Sequence, residues 1–327
     1  MLMIVSCHFA AHGGFTFLDA ASFTVNKEWW RFLAMGGDIG NTIFLLLSGY
    51  FLIGSSGINS SKIINLWLRM FFWSVTIYCV FVLAGFDPFS LKNMLKSAMP
   101  VTQYAWWFAS TYFMLYIFHP YLNILLRSLS KSEYRKFLII FMVYHVIVHV
   151  SPMGYLLGSK LANFMFLYSL AGYIRLHANP SPKVNYIFWG FVALGVNLLC
   201  FVVFDAAAEH IPSVRYLDKI LLVARKSFAL IIPLCLMVGF SRLTIPNSKL
   251  INLIASATFG VYLIHDNDNN LIRQFLWHTV FKNAAYQDSL YFIPYSIAVI
   301  LMVYISCVIL ELIRAKVFKT ISGGRIS

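Results

Sequence analysis

Long apolar runs recur from one end of the 327-residue chain to the other, and this pattern constrains the fold more than any other feature. A helix that crosses a bilayer needs about 20 mostly apolar residues. The composition agrees, because 60% of the residues are hydrophobic and only 11% are charged, whereas soluble domains carry roughly 25% charged residues. The sequence therefore predicts an all-α, polytopic transmembrane helical bundle with about ten spans.

The basic residues lie mainly at the ends of the apolar runs. The net charge of +13 is compatible with nucleic-acid binding, but the positive-inside rule and anionic lipid headgroups account for this placement better. Short base-rich connections favour an N-in, C-in orientation. We expect a multi-pass plasma-membrane protein without a nucleic-acid partner. Residues 1–313 would form the transmembrane domain, and residues 314–327 a short basic cytoplasmic tail.

The first apolar run, residues 1–17, carries His8. An ionisable side chain inside a membrane segment indicates a functional site that faces the protein interior; the alternative is a neutral histidine bonded to a neighbouring helix. His12 follows four residues later, on the same helix face. Paired histidines at this spacing bind metals in HExxH sites. The run offers no carboxylate as a third ligand, and the five cysteines form no CxxC pair, so we expect no metal site.

Two polar positions accompany the second apolar run. Asp38 lies in the stretch GGDIGN, where a carboxylate at a helix N-terminus would cap free N–H groups. The alternative is that Asp38 orients a catalytic histidine of the first span. Ser48 precedes a glycine within the run. It either permits close helix packing or donates a hydrogen bond beside a substrate channel.

Further candidates lie at the ends of two later runs. Trp106 and Trp107 open the fourth run, where aromatic residues usually mark the membrane interface but also stack on sugars. His265 and Asp266 follow the apolar stretch TFGVYLI. They either end a helix or border a substrate entrance, and Arg273 after them is suited to an acidic glycan.

Together these residues resemble the acyltransferase 3 family of integral membrane acyltransferases. The similarity rests on four stretches in the family's order, namely His8, residues 37–53, residues 106–123 and residues 258–267. The second and last stretches are most similar to Gram-positive members that modify surface glycans or exopolysaccharides. The family usually carries an arginine upstream of the first-span histidine, and that position falls before Met1. We therefore expect the first span to be truncated at its N-terminus.

The resemblance implies an O-acyltransferase, most simply an O-acetyltransferase, of the class that transfers groups other than amino-acyl groups. Acyl-CoA, typically acetyl-CoA, would serve as a cytoplasmic co-substrate, with no tightly bound cofactor. The acceptor would be a hydroxyl of a polysaccharide or a lipid-linked sugar. His8 would act as general base or as transient acyl acceptor. Lys62, Arg69 and Arg127 would bind the CoA phosphates, although lipid anchoring explains each of them equally well.

A second hypothesis is a transporter or flippase for a polar solute or glycan precursor. Such a protein needs polar or charged residues near the midplane of several spans. Few of the apolar runs carry them, so we expect an enzyme.

Overall fold

The computed structural model describes residues 1–17, 23–150, 158–211, 218–244, 246–267 and 271–321. Within these ranges the chain is helical and contains no β-strand, which confirms the all-α prediction. The helices, numbered in chain order, are α1 (Leu2–His12), α2 (Val25–Leu52), α3 (Ser60–Leu83), α4 (Leu91–Ser97), α5 (Trp107–Ser128), α6 (Lys131–Val150), α7 (Lys160–His177), α8 (Tyr186–His210), α9 (Asp218–Phe240), α10 (Lys249–His265), α11 (Leu271–Arg273) and α12 (Phe292–Ile321). A π-helical turn (Gln274–Val280) and a 3-10 turn (Asn283–Tyr286) separate α11 from α12.

Four of the described helices are long and apolar enough to cross a membrane, namely α2, α3, α8 and α12. α1, α10 and residues 226–240 of α9 are shorter apolar helices. Large apolar side chains remain exposed on the outside of the bundle, for example Phe51 and Leu83. In a soluble protein so much exposed apolar surface would promote aggregation, but in a bilayer it faces lipid.

α2 begins earlier than the sequence suggested. The capping role considered for Asp38 requires a helix that begins close to that residue, but α2 starts at Val25 and is capped by the Thr24 side chain. The charged residues of its first turns are accommodated by pairing. Lys27 and Arg31 lie 2.7 and 2.6 Å from Asp205 of α8. Because this cluster is buried and paired, the segment can be helical despite its polarity.

The earlier start of α2 changes the interpretation of Asp38. Since α2 runs from Val25 to Leu52, Asp38 lies in the middle of the helix. Its interpretation as an N-terminal cap is therefore wrong, because backbone N–H groups there already donate to carbonyls within the helix.

Three glycines of α2 allow α1 to pack directly against it. A Cβ atom on Gly36 would lie 2.2 Å from the Met3 carbonyl oxygen, and one on Gly37 would lie 2.5 Å from the Cys7 Sγ. Gly40 is nearly as close to the Ile4 side chain. Small residues let membrane helices approach closely where the bilayer offers no hydrophobic driving force. This contact fixes the position of α1, and with it that of its histidines.

We expect Gly36→Ala to destabilise the protein by about 1–3 kcal/mol, the usual cost of overpacking. The nearest obstacle to its methyl group is the backbone of α1, which cannot rotate away. Gly195→Ala is the matched control, since a Cβ atom there meets nothing within 4 Å and alanine favours helix. Thermal unfolding in detergent measures both variants. An unfolding midpoint of Gly36→Ala equal to that of Gly195→Ala would contradict the role given to the glycines.

The two ends of the bundle differ in chemistry. At one end α1 and α10 finish close together with His12 and His265, and we call this the histidine end. α3 begins and α12 finishes at the other end of the bundle, which we call the opposite end. From the middle of α3, Trp73 donates a hydrogen bond at 2.8 Å to the buried Glu311 carboxylate in the C-terminal half of α12.

Candidate active site at the histidine end

His8 and His265 form the centre of the site, although they are 257 positions apart in the chain. His8 Nδ1 lies 2.8 Å from His265 Nε2. His265 is buried and occupies the last turn of α10, where its Nδ1 lies 2.5 Å from the Val261 carbonyl oxygen. The close packing of α1 and the end of α10 therefore joins the two imidazole rings.

The hydrogen-bond chain determines which nitrogen of each histidine carries a proton. The Val261 carbonyl can only accept, so His265 Nδ1 carries the hydrogen. In neutral His265, Nε2 is then an acceptor, and His8 Nδ1 donates to it. This leaves the lone pair of neutral His8 on Nε2. A histidine nitrogen with a free lone pair, held by a bond to the other nitrogen, is suited to accept a proton.

Asp266 follows the last residue of α10 and faces His8. Its Oδ2 lies 3.4 Å from His8 Nε2, and its Oδ1 accepts a hydrogen bond from Arg273 Nε at 2.5 Å. Burial alone would raise the pKa of Asp266, but the adjacent His8 imidazole and the Arg273 guanidinium, which also donates a hydrogen bond to it, hold the pKa below its ordinary value. An ionised carboxylate therefore stands where it stabilises a protonated His8.

His12 provides the most exposed side of the site. Its Nε2 lies 3.6 Å from Asp266 Oδ1, and its side chain is 27% exposed, compared with 13% for His8. Aromatic rings form the inner wall, since Tyr262 lies beside His8 and the edge of Trp277 meets Phe9. The site is thus open on the His12 side and apolar behind, and such an environment strengthens electrostatic interactions.

The structure brings together four of the site residues that the sequence suggested, His8, His265, Asp266 and Arg273. His12 had been considered only as a metal ligand. Its position one helical turn after His8 was the signal that it belongs to the same cluster.

Asp38 has a different partner from the one considered. Lys226 of α9 donates to both Asp38 carboxylate oxygens, at 3.1 and 3.2 Å. The carboxylate next to His8 is that of Asp266 instead.

Other candidates lie in the packed interior. Ser48 donates a hydrogen bond to the Phe44 carbonyl oxygen at 2.9 Å, as serines within helices often do. Trp106 is fully buried, which leaves no ring face for a sugar. One face of Trp107 is covered by the Lys160 ammonium group, 4.6 Å from the ring centre.

A cavity of about 230 Å³ lies at the opposite end of the bundle. Its polar lining includes Arg69, Arg314 and Lys319, together with the Glu311 carboxylate. Arg314 donates two hydrogen bonds to Glu311, at 2.8 and 2.6 Å, while Arg69 lies 3.9 Å away and is one-third exposed. Lys62 lies two turns before Arg69 on α3 and is exposed, and Arg127 is exposed in the last turn of α5; neither residue lines the cavity.

Comparison with known proteins identifies the family of the chain. Residues 1–311 match the acyltransferase 3 family, whose model is described as an acyltransferase domain. The chain therefore belongs to the acyltransferase 3 family and is a membrane acyltransferase. No curated protein and no solved structure matches it.

Proposed function

We propose that the protein is an O-acetyltransferase that moves an acetyl group from cytoplasmic acetyl-CoA to a sugar hydroxyl on the outer face of the plasma membrane. The observation that carries this proposal is the arrangement of His8, whose Nδ1 lies 2.8 Å from His265 Nε2 and whose Nε2 lies 3.4 Å from the Asp266 carboxylate. In this proposal about ten spans cross the bilayer. Both termini are cytoplasmic, and the histidine end faces outward.

In the proposed reaction His8 is the general base. Its Nε2 takes the proton of the sugar hydroxyl while the oxygen attacks the thioester carbonyl carbon. The carbon–sulfur bond then breaks, the ester forms, and the thiolate of CoA receives the proton from His8. Asp266 stabilises the imidazolium between these steps, and Arg273 fixes the carboxylate in position. The thioester is already activated, so the reaction needs no ATP.

The cavity at the opposite end is suited to hold the donor. Arg69, with Arg127 and Lys62 nearer the surface, would bind the CoA phosphates, because guanidinium groups pair with phosphate oxygens. Ala257 lines this cavity, and His265 lies eight residues further along the same helix. At 1.5 Å per residue Ala257 and His265 are about 12 Å apart along α10. An extended pantetheine arm can cover that distance and place the thioester near His8.

The acceptor would reach the site past His12, its exposed side. A polysaccharide or lipid-linked sugar fits this position, because the reacting hydroxyl only has to enter a shallow opening at the membrane surface. Arg273 is hydrogen-bonded to Asp266, so we assign it a positioning role in addition to any contact with the glycan.

The test uses full-length protein in detergent, acetyl-labelled CoA and a panel of cell-surface polysaccharides. We expect label in a polysaccharide, released as acetate by mild base because the product is an ester. Absence of transfer to every sugar, combined with flux of a sugar or glycan precursor in proteoliposomes, would instead support a transporter.

Arg69→Ala is expected to raise the KM for acetyl-CoA by roughly 10- to 100-fold, because the variant loses one charge-assisted hydrogen bond to the donor. The kcat should change little, since Arg69 is remote from His8. Initial rates over a range of donor concentrations measure both constants. Lys96→Ala is the matched control, because Lys96 is exposed at the end of α4. A lower kcat with an unchanged KM would contradict donor binding by Arg69.

A further inference from the structure

The histidine end contains a set of side chains that resembles a metal site. The donor atoms of His8, His12 and Asp266 all lie within 4.8 Å of one another. The sequence provides the two histidines one turn apart but no third ligand in the same run. The fold supplies that ligand from the end of α10, next to His265.

The spacing of the donor atoms suits a tetrahedral ion. Ligands about 2.0–2.1 Å from a tetrahedral Zn²⁺ lie about 3.4 Å from each other. His8 Nε2 and Asp266 Oδ2 are 3.4 Å apart, and His12 Nε2 lies 3.6 Å from the other oxygen of the same carboxylate. A rotation of the partly exposed His12 side chain would complete a three-ligand set.

The groups around the ligands hold them in the state that a metal requires. His265 accepts the Nδ1 hydrogen of His8 and so leaves the Nε2 lone pair available. Metal-bound histidines in proteins are oriented by such a bond through the second nitrogen. Arg273 binds Asp266 Oδ1, whereas none of the residues that the structure describes gives the buried Oδ2 a hydrogen bond. A buried carboxylate oxygen without one is unusual, and a bound cation would satisfy it.

We propose that His8, His12 and Asp266 bind a zinc-like divalent cation at the histidine end, and that the bound ion inhibits the enzyme. Two imidazole nitrogens and one carboxylate oxygen favour zinc and its neighbours over Mg²⁺ or Ca²⁺. Inhibition follows because the Nε2 lone pair of His8 cannot bind the ion and accept a proton at the same time. The binding stands by itself, while the inhibition rests on the proposed function.

Binding is tested by titrating ZnCl₂ into the full-length protein in detergent, without donor or acceptor, in a calorimeter. We expect one ion per chain in the parent, a loss of affinity of at least about tenfold in His12→Ala, and no comparable heat from MgCl₂. His210→Ala is the matched control, because His210 is exposed at the end of α8. His12→Asn serves as a second variant should His12→Ala fold poorly. Equal zinc affinity in the parent and the His12 variants would overturn the site.

Inhibition is tested by measuring acetyl transfer with added ZnCl₂ and then with excess EDTA. We expect zinc to lower the parent rate and EDTA to restore it. Each His12 variant, compared with its own zinc-free rate, should resist zinc. Loss of parent activity in EDTA alone would overturn the inhibitory role, because the ion would then be required for catalysis. A protein without transferase activity would refute the proposed function, yet the calorimetric result would still decide whether the metal site exists.

Discussion

His8→Ala is expected to lower the rate of acetyl transfer by about 10²- to 10⁴-fold, the usual contribution of a general base. His8 provides the unprotonated Nε2 that faces Asp266, and alanine removes it. The fold should persist, because α1 is held to α2 by the glycine contacts at Gly36 and Gly37. Initial rates with saturating acetyl-CoA, together with thermal unfolding of the same sample, separate loss of catalysis from loss of structure.

His210→Ala controls for the removal of an imidazole from this protein. His210 ends α8 and is exposed, so its variant should transfer acetyl at the parental rate. A His8→Ala rate within about twofold of the parent would refute the general-base role, since proton transfer contributes far more than that.

Asp266→Asn is expected to have the second-largest effect, a fall in kcat of about 10²- to 10³-fold, typical of losing one preorganised electrostatic group. The carboxylate lies 3.4 Å from His8 Nε2 and is 1% exposed. Its charge is therefore poorly screened by water. The amide keeps the shape of the side chain but no longer stabilises the imidazolium. The KM for acetyl-CoA should stay close to the parental value, because Arg69 is remote from this carboxylate.

Asp38→Asn is the matched comparison, because Asp38 is the carboxylate that the sequence suggested as an orienting partner of His8. In the structure it is paired with Lys226, so its amide variant should retain most of the parental kcat. Should Asp38→Asn lose more activity than Asp266→Asn, the assignment of Asp266 as the partner of His8 would be wrong.

The sequence predicted the all-α membrane fold and singled out His8. Both signals are local, since one is the recurrence of apolar runs and the other is an ionisable side chain that is energetically costly inside a membrane segment. It could not choose the partner of His8. Asp38 was considered as a partner because it lies on the adjacent second span, whereas the neighbour His265 is 257 positions away from His8. Only the packing of α10 against α1 brings that residue and the adjacent Asp266 into the site.

Burial and ion pairing account for the other differences. The sequence did not reveal that α2 begins at Val25, because Asp205, the partner of Lys27 and Arg31, is on a helix far along the chain. Trp106 was a candidate for the membrane interface or for stacking on a sugar, yet it is fully buried. Residue type alone does not reveal which aromatic residues at a helix start face the core and which face the surface.

The most direct test of the account is a double-mutant cycle on His8 and Asp266. Acetyl-transfer rates are measured for the parent, His8→Ala, Asp266→Asn and the double variant. Since Asp266 acts through the charge on His8, the account predicts that the double variant is about as slow as His8→Ala alone, as for residues that work as a unit. Losses that multiply would show that the two residues contribute independently, and would contradict a base and carboxylate pair at the histidine end.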